Sequence, residues 1–291
     1  MPRHAYLILA HANPAYLQTL ASFLDNADGD IYIHWDAKSG SVPQISASCS
    51  KVCFTKERVR VFWGDFSVVE AEYALFREAR RNGPYLYYHL ISGADLPIKS
   101  PAEIHWQCEK EPDVEYIGYA SASDNEIRKR VRYYYLFPHR FNSKNVIVKS
   151  LRKAFNIMQD VFRIRKQEGV FKKGSQWASV TEPFVDYLLD NEAFVRRVFK
   201  RTYCSDELYK QTLCWNSGFR DRLPETDDEF EACRRFIKWD NGELLELTQE
   251  DVPAMLNSNR WFARKFNPGH VAIINQIQLS LNSYEHTDIH H

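Results

Sequence analysis

The sequence predicts an α/β fold built on a largely parallel sheet, and three observations carry that reading. Strand-sized apolar runs alternate with runs of helical period. The first three of these segments have the length of a β–α–β unit. The 291 residues are 44% apolar and 26% charged, enough apolar material for a substantial core.

Taken in order, "HAYLILA" is a compact apolar strand, "HANPAY" a turn and "AYLQTLASFLDNA" a helix. After the "DNADGD" break, "DIYIHWD" is a second strand. Parallel β–α–β units bind ligands beyond the carboxyl ends of their strands, which places His11 and Asp36 at the ligand edge. "VRVFW" predicts a short strand, "SVVEAEYALFREARRN" a helix, "YLYYHLIS" a buried strand and "GADLPIKS" a loop. Residues 120–173 break the alternation, being basic, aromatic and only loosely periodic. They read either as an acceptor-facing helical insertion or as a solvated amphipathic helix pair with snorkelling Lys and Arg. Beyond them, "SQWASVT" is a strand and "EPFVDYLLDNEAFVRRVFK" a helix. "SDELYKQTLCWNS" is a second helix, capped by Ser205. "RFIKW" is a late strand, "TQEDVPAMLNS" a short helix and "RWFARKF" an extended segment. No internal repeat or linker interrupts the chain, so a single domain over 1–291 is expected.

Lys+Arg and Asp+Glu both total 38. Without a basic excess, nucleic acid is not an expected partner, and any anion must be held by a few placed cations. No apolar run approaches the roughly 20 residues needed to span a bilayer, and the first residues lack a signal-peptide pattern. A cytoplasmic protein is expected, with peripheral association to a membrane-linked acceptor at the inner face left open. Six sparse cysteines, with only Cys49 and Cys53 close together, read as reduced thiols.

Asp206 and Glu207 open the helical run "SDELYKQTL". Adjacent residues on a helix point about 100° apart, so the two cannot flank one bond as a glycosidase pair. One carboxylate suffices for another reaction, in which it deprotonates a hydroxyl nucleophile while a stable anion departs. Sugar transfer from a nucleotide sugar fits, since the diphosphate leaving group needs electrostatic support rather than a strong acid. At a helix start Glu207 would also feel the positive end of the macrodipole. The plain alternative is the ordinary acidic first turn of a helix. "FARKF" supplies Arg264 and Lys265, which point opposite ways in an extended segment, so one can meet a diphosphate while the other pairs with a carboxylate. His34 and Asp36 share a strand face and, with His11, could hold a metal for a hydrolase, although no further cluster completes a shell. There is no Walker loop, no Gly-x-Gly-x-x-Gly and no clean Asp-x-Asp after a strand. A non-catalytic glycan-binding module, indifferent to nucleotide, is the third reading.

Seven segments, in order, resemble the Core-2/I-branching glycosyltransferases, a family that includes the peptide-O-xylosyltransferases. They are "LILAH" with "IYIHWDAKS", "VFWGDFSVVEAEYAL", "YLYYHLISGADLPIKS", "KKGSQWASVT", "SDELYKQTL" and "LNSNRWFARKF", spread over residues 5 to 267. The resemblance implies a GT-A-like, Rossmann-like fold and an inverting mechanism that forms a β linkage. It also implies a UDP-sugar donor, a glycan acceptor and no required metal or other cofactor. It assigns the base to Glu207, nucleoside contacts to Asp36 and diphosphate support to Lys265 first and Arg264 second. His11 stands with these donor-side candidates. Trp63, Asp95, Gly174, Ser175 and Trp177 fall in segments lining the donor and acceptor cleft, where Trp177 reads either as a sugar platform or as a core tryptophan. Two departures stand out. The chain lacks the anchor and disulfide framework of the animal enzymes, which suggests a bacterial member. The family's upstream diphosphate arginine has no counterpart in "DNGELLEL", so its role falls to Arg264 or disappears. N-acetylglucosamine and xylose are the expected donor sugars.

Overall fold

A computed structural model describes residues 3–121, 124–136, 145–162, 164–165, 169–240 and 242–287. Period-two alternation in β1 (His4–Ala10) sends Tyr6, Ile8 and Ala10 to one face of the sheet and Ala5 and Leu7 to the other. Helix α1 (Pro14–Leu24), with Pro at its first turn, leads to β2 (Gly29–Trp35), and β3 (Val52–Phe54) lies beyond. α2 (Ser67–Asn82) then feeds β4 (Tyr87–Ser92). β5 (Leu96–Pro97), α3 (Pro101–Lys110) and β6 (Tyr116–Ile117) follow. The basic region contributes α4 (Asp124–Arg132) and α5 (Val146–Phe162), while 137–144 of that expected insertion lie outside the described residues. Next come β7 (Ala178–Thr181), α6 (Glu182–Asp190), α7 (Glu192–Phe199) and α8 (Tyr209–Trp215). The chain continues through α9 (Glu229–Ala232), β8 (Arg235–Ile237), β9 (Trp239–Asp240) and β10 (Glu243–Leu244). α10 (Val252–Leu256), β11 (Phe262–Arg264) and α11 (Val271–Thr287) complete it.

Among the described residues the main sheet has six strands in the order β3-β2-β1-β4-β7-β6. The first four are parallel, and β7 runs antiparallel to both of its neighbours. This is the mostly parallel, helix-flanked α/β sheet that the sequence predicts. Apolar clusters cover both faces, one with α1 and Trp261, the other with α2, α6 and α8. A smaller sheet, β5-β11-β8, is stitched to the main one by buried Arg235. Its guanidinium donates to the carbonyls of Leu90, Ala178 and Cys233 at 3.0, 2.9 and 2.6 Å. That stitch fixes where β11 leaves Arg264 relative to the ends of β1 and β4.

Three local expectations fail for identifiable reasons. "VRVFW" is not a strand, because its backbone is satisfied by side chains instead of a ladder: Val59 N–H donates to His34 Nε2 at 2.9 Å, and Val61 N–H to Asp36 Oδ1 at 3.4 Å. The strand paired with β2 is the earlier β3. The long helix after β7 breaks at Asn191 into α6 and α7. Ser205 caps nothing: its hydroxyl is buried without a partner, in a 3-10 turn over Ser205–Glu207 that precedes α8. No helix among the described residues is long and apolar enough to cross a membrane, and all six cysteines are free thiols.

Candidate active site

The carboxyl edge of the sheet holds the first group of candidates. His11, directly after β1, and exposed Lys265, directly after β11, line one cleft of about 250 Å³ together with Gly93, Glu246 and Asn267. Arg264 turns the other way. Its Nε donates to Asp95 Oδ1 at 3.2 Å, and its guanidinium lies 4.4 Å from the Trp177 ring centre. Asp95 is fully buried and also accepts the Ser92 N–H at 2.9 Å. Burial raises its pKa, and Arg264 opposes the rise. Asp36 is buried as well; its Oδ1 accepts the Lys38 N–H at 2.8 Å, so this carboxylate fixes the turn after β2.

Glu207 anchors the second group. Cys204, left-handed at φ 47°, bends the chain before the 3-10 turn and donates its N–H to Gly64 O at 3.0 Å. Gly64 sits at φ 73°, where an added Cβ would fall 2.7 Å from the Tyr203 ring. Trp63, 64% exposed, stands edge-on to Tyr203 at 5.8 Å and so overhangs the Glu207 segment. On its other side the backbone carbonyl of Glu207 accepts the Gly174 N–H at 2.9 Å. Only glycine fits at 174, because a Cβ there would meet Gly118 O at 1.9 Å. Ser175 O accepts Gln211 Nε2 at 2.6 Å, and Ser175 Oγ accepts the Trp177 N–H at 3.2 Å. An unbroken set of contacts thus runs from Glu207 through Gly174, Ser175 and Trp177 to Arg264 and Asp95.

The side chain of Glu207 is one third exposed, and its Oε2 accepts Arg130 Nη1 of α4 at 2.7 Å. The helix-end argument for Glu207 does not hold, since it lies in a 3-10 turn before the seven-residue α8; the cation facing it is Arg130. Asp206 points inward with Oδ1 unpartnered, its pKa raised to about 7 by burial and then by the charges of Glu207 and Glu72. Beneath it, Lys210 Nζ donates to Glu72 Oε2 at 2.6 Å and to Asp206 O at 3.3 Å. Tyr209 and Gln176 also donate to Glu72. Beside Gly174 opens a cleft of about 530 Å³, lined by Tyr119, Lys172, Lys173, Trp215, Asp228 and Glu229. Burial raises Glu229 to about 7, with Lys173 opposing and Glu207 adding to the rise.

The proposed metal trio does not assemble. Buried His34 gives its Nε2 lone pair to Val59 N–H, and burial lowers its pKa to about 4. Among the described residues the one group spaced to hold a metal is His4, His89 and Cys108, buried away from the carboxyl edge, since His4 begins β1. The residues that the sequence reading passed over are Arg130, the Glu72–Lys210 pair, Glu229 and Trp215. Glu72 alone left a local signal: a carboxylate on the apolar stripe of α2, between Val69 and Phe76.

Residues 4–268 match the family described as Core-2/I-branching enzyme. Two curated relatives are beta-glucuronosyltransferases of Arabidopsis thaliana. GlcAT14A is 35% identical over 124 residues, covering 38% of this chain and 26% of the relative. GlcAT14B is 26% identical over 201 residues, covering 64% and 42%. The chain therefore spans 26% of one relative's length and 42% of the other's. Mouse xyloside xylosyltransferase 1 in its apo form aligns at a TM-score of 0.39 and 11% identity, covering 92% of this chain and 99% of that one. A bacterial source finds no support in these plant relatives.

Proposed function

The chain belongs to the Core-2/I-branching enzyme family, and on that premise we propose that it is an inverting glycosyltransferase moving a sugar from a UDP-sugar to a hydroxyl of a glycan acceptor. Glu207 takes the acceptor proton. The freed oxygen forms its bond to the anomeric carbon on the face opposite the phosphate, and the breaking C–O bond leaves its electron pair on UDP. UDP departs toward Lys265, with Arg264 behind it. The observation that carries this reading is the Glu207 carboxylate itself. It is partly exposed, tied by Arg130 through Oε2, and its Oε1 accepts no hydrogen bond among the described residues. It also stands in contact, through Gly174 and Trp177, with Arg264 of β11.

Side-chain cations take the electrostatic role a metal plays in other nucleotide-sugar enzymes, so the reaction is proposed to need no metal. The uninterrupted match over 4–268 supports one catalytic unit. N-acetylglucosamine and xylose follow from the resemblance, and the relatives' names add glucuronic acid, so all three UDP-sugars belong in the donor screen. Glu207→Gln is expected to lower kcat by about 10²- to 10⁴-fold with UDP affinity within about twofold. Retained turnover removes Glu207 from the role. Activity lost in EDTA and restored by magnesium or manganese overturns metal independence.

A further inference from the structure

The larger cleft, of about 530 Å³, is tied to Glu207 from three sides, while exposed Lys265 lines the smaller one. Ile127 of α4 lines it, and Arg130, one turn further along the same helix face, bonds Glu207 Oε2 at 2.7 Å. Lys173 lines it as well, and the next residue, Gly174, donates its N–H to Glu207 O. Gly118 packs between Gly174 and Glu229. A Cβ on Gly174 would run into Gly118 O, and a Cβ on Gly118 into Glu229 O, so the two glycines let the Glu229 wall close on the Glu207 segment. A volume of this order is that of a ligand pocket. It leaves room for a sugar chain leading away from Glu207.

The charges say what kind of chain. Half-buried Lys172, in the cleft wall, places Nζ 4.0 Å from the Trp215 ring centre, and the exposed Arg220 guanidinium lies 3.9 Å from the same ring. An indole holds a cation in place without cancelling its charge. Neither cation pairs with a carboxylate among the described residues. The acids of the wall do not answer them. Asp228 accepts the Phe230 and Glu231 amides at 2.8 Å and pairs with Arg260 at 3.1 Å. Burial raises Glu229 to about 7, so part of its population is neutral at pH 7. Asp227 is exposed, where salt screens its charge.

We propose that this cleft is an acceptor subsite for an acidic glycan, whose carboxylate or sulfate ester is held by Lys172 and Arg220 at the Trp215 ring while a neighbouring sugar presents its hydroxyl to Glu207. Its part as an acceptor subsite rests on the transferase reading above. Binding in the cleft needs no donor, so the two fail separately.

The test titrates the whole protein, without donor, with tetragalacturonate, its methyl ester and a sulfated heparin tetrasaccharide, followed by tryptophan fluorescence and calorimetry. At least one of the two anions is expected to bind about tenfold or more tighter than the methyl ester, and more weakly at about 0.5 M than at about 0.1 M salt. The tighter of the two tells a carboxylate from a sulfate ester. Lys172→Glu should weaken that binding about tenfold or more, and Arg220→Glu about threefold or more. Both variants should keep the circular dichroism spectrum and the UDP affinity of wild type, since neither residue lines the Lys265 cleft. Methyl ester binding as tight as either anion, unchanged binding in Lys172→Glu, or no binding of either anion up to about 5 mM overturns the subsite. An anion bound through Lys172, with no UDP released from any UDP-sugar, keeps the cleft as an acidic-glycan site and removes the transferase reading. Transfer to neutral acceptors with both anions ignored does the reverse.

Discussion

Lys210→Met tests the buried platform under Glu207. Lys210 and Glu72 are both fully buried and 2.6 Å apart. Removing the ammonium leaves the Glu72 carboxylate with only the Tyr209 hydroxyl and the Gln176 amide. Breaking a buried pair from one side costs about 3–5 kcal/mol, because the remaining charge keeps its desolvation penalty and loses its partner. Glu72→Gln should cost a similar amount by stranding Lys210. In the double variant Glu72→Gln/Lys210→Met, the glutamine oxygen still accepts from Tyr209 and Gln176 and no charge is buried. Its loss should therefore be smaller than the sum of the two single losses by about 2 kcal/mol or more. Urea unfolding at neutral pH, followed by tryptophan fluorescence, gives all three values. A single Lys210→Met loss under about 1 kcal/mol, or losses that simply add, would refute the platform. Because Lys210 also holds Asp206 O, the same variant should lower kcat.

Two further predictions concern charge around the base. Arg130→Met is expected to cut kcat about tenfold or more, by removing the guanidinium that holds the Glu207 carboxylate through Oε2. Arg130→Lys should recover part of the loss, whereas an unchanged kcat in Arg130→Met would leave Arg130 with a merely structural role. Asp206→Asn should gain stability relative to wild type as pH rises from about 4 to 7. The folded pKa of Asp206 lies near 7, above its ordinary 3.8, so over this window the native state binds more protons than the unfolded chain and wild-type stability falls with pH. Urea melts at the two ends of that window check it, and a constant difference refutes it.

The main sheet was legible because its strands are buried on both faces and separated by helices with clear period. The failures cluster where side chains do the work of backbone. "VRVFW" alternates like a strand, yet His34 and Asp36 capture its amides, and both captors stand on a distant part of the chain. Ser205 and Asp206 look like a helix cap and an acidic first turn, but the left-handed Cys204 and the 3-10 turn rotate both inward. The divergence of Arg264 and Lys265 could be read from an extended segment alone. Arg130 could not: it reaches Glu207 across 77 residues, from a stretch whose many cations give no hint which one turns inward.

That single contact distinguishes three neighbouring carboxyls. Asp206 is buried with an unpartnered oxygen, and Glu229 lies in the wall of the larger cleft. Both are raised to about 7, by burial first and with the charge of Glu207 contributing to the rise. Arg130 also comes within 3.7 Å of Glu126 on its own helix, but of the three clustered acids it meets Glu207 alone. Groups whose surroundings separate their titrations take different parts in acid–base chemistry. Glu207 is the member of the cluster whose carboxylate accepts a guanidinium hydrogen bond while its side chain stays one third exposed. A proton acceptor needs both features. A rise to about 7 keeps part of the Asp206 and Glu229 population neutral at pH 7, which lessens the like charge packed around Glu207.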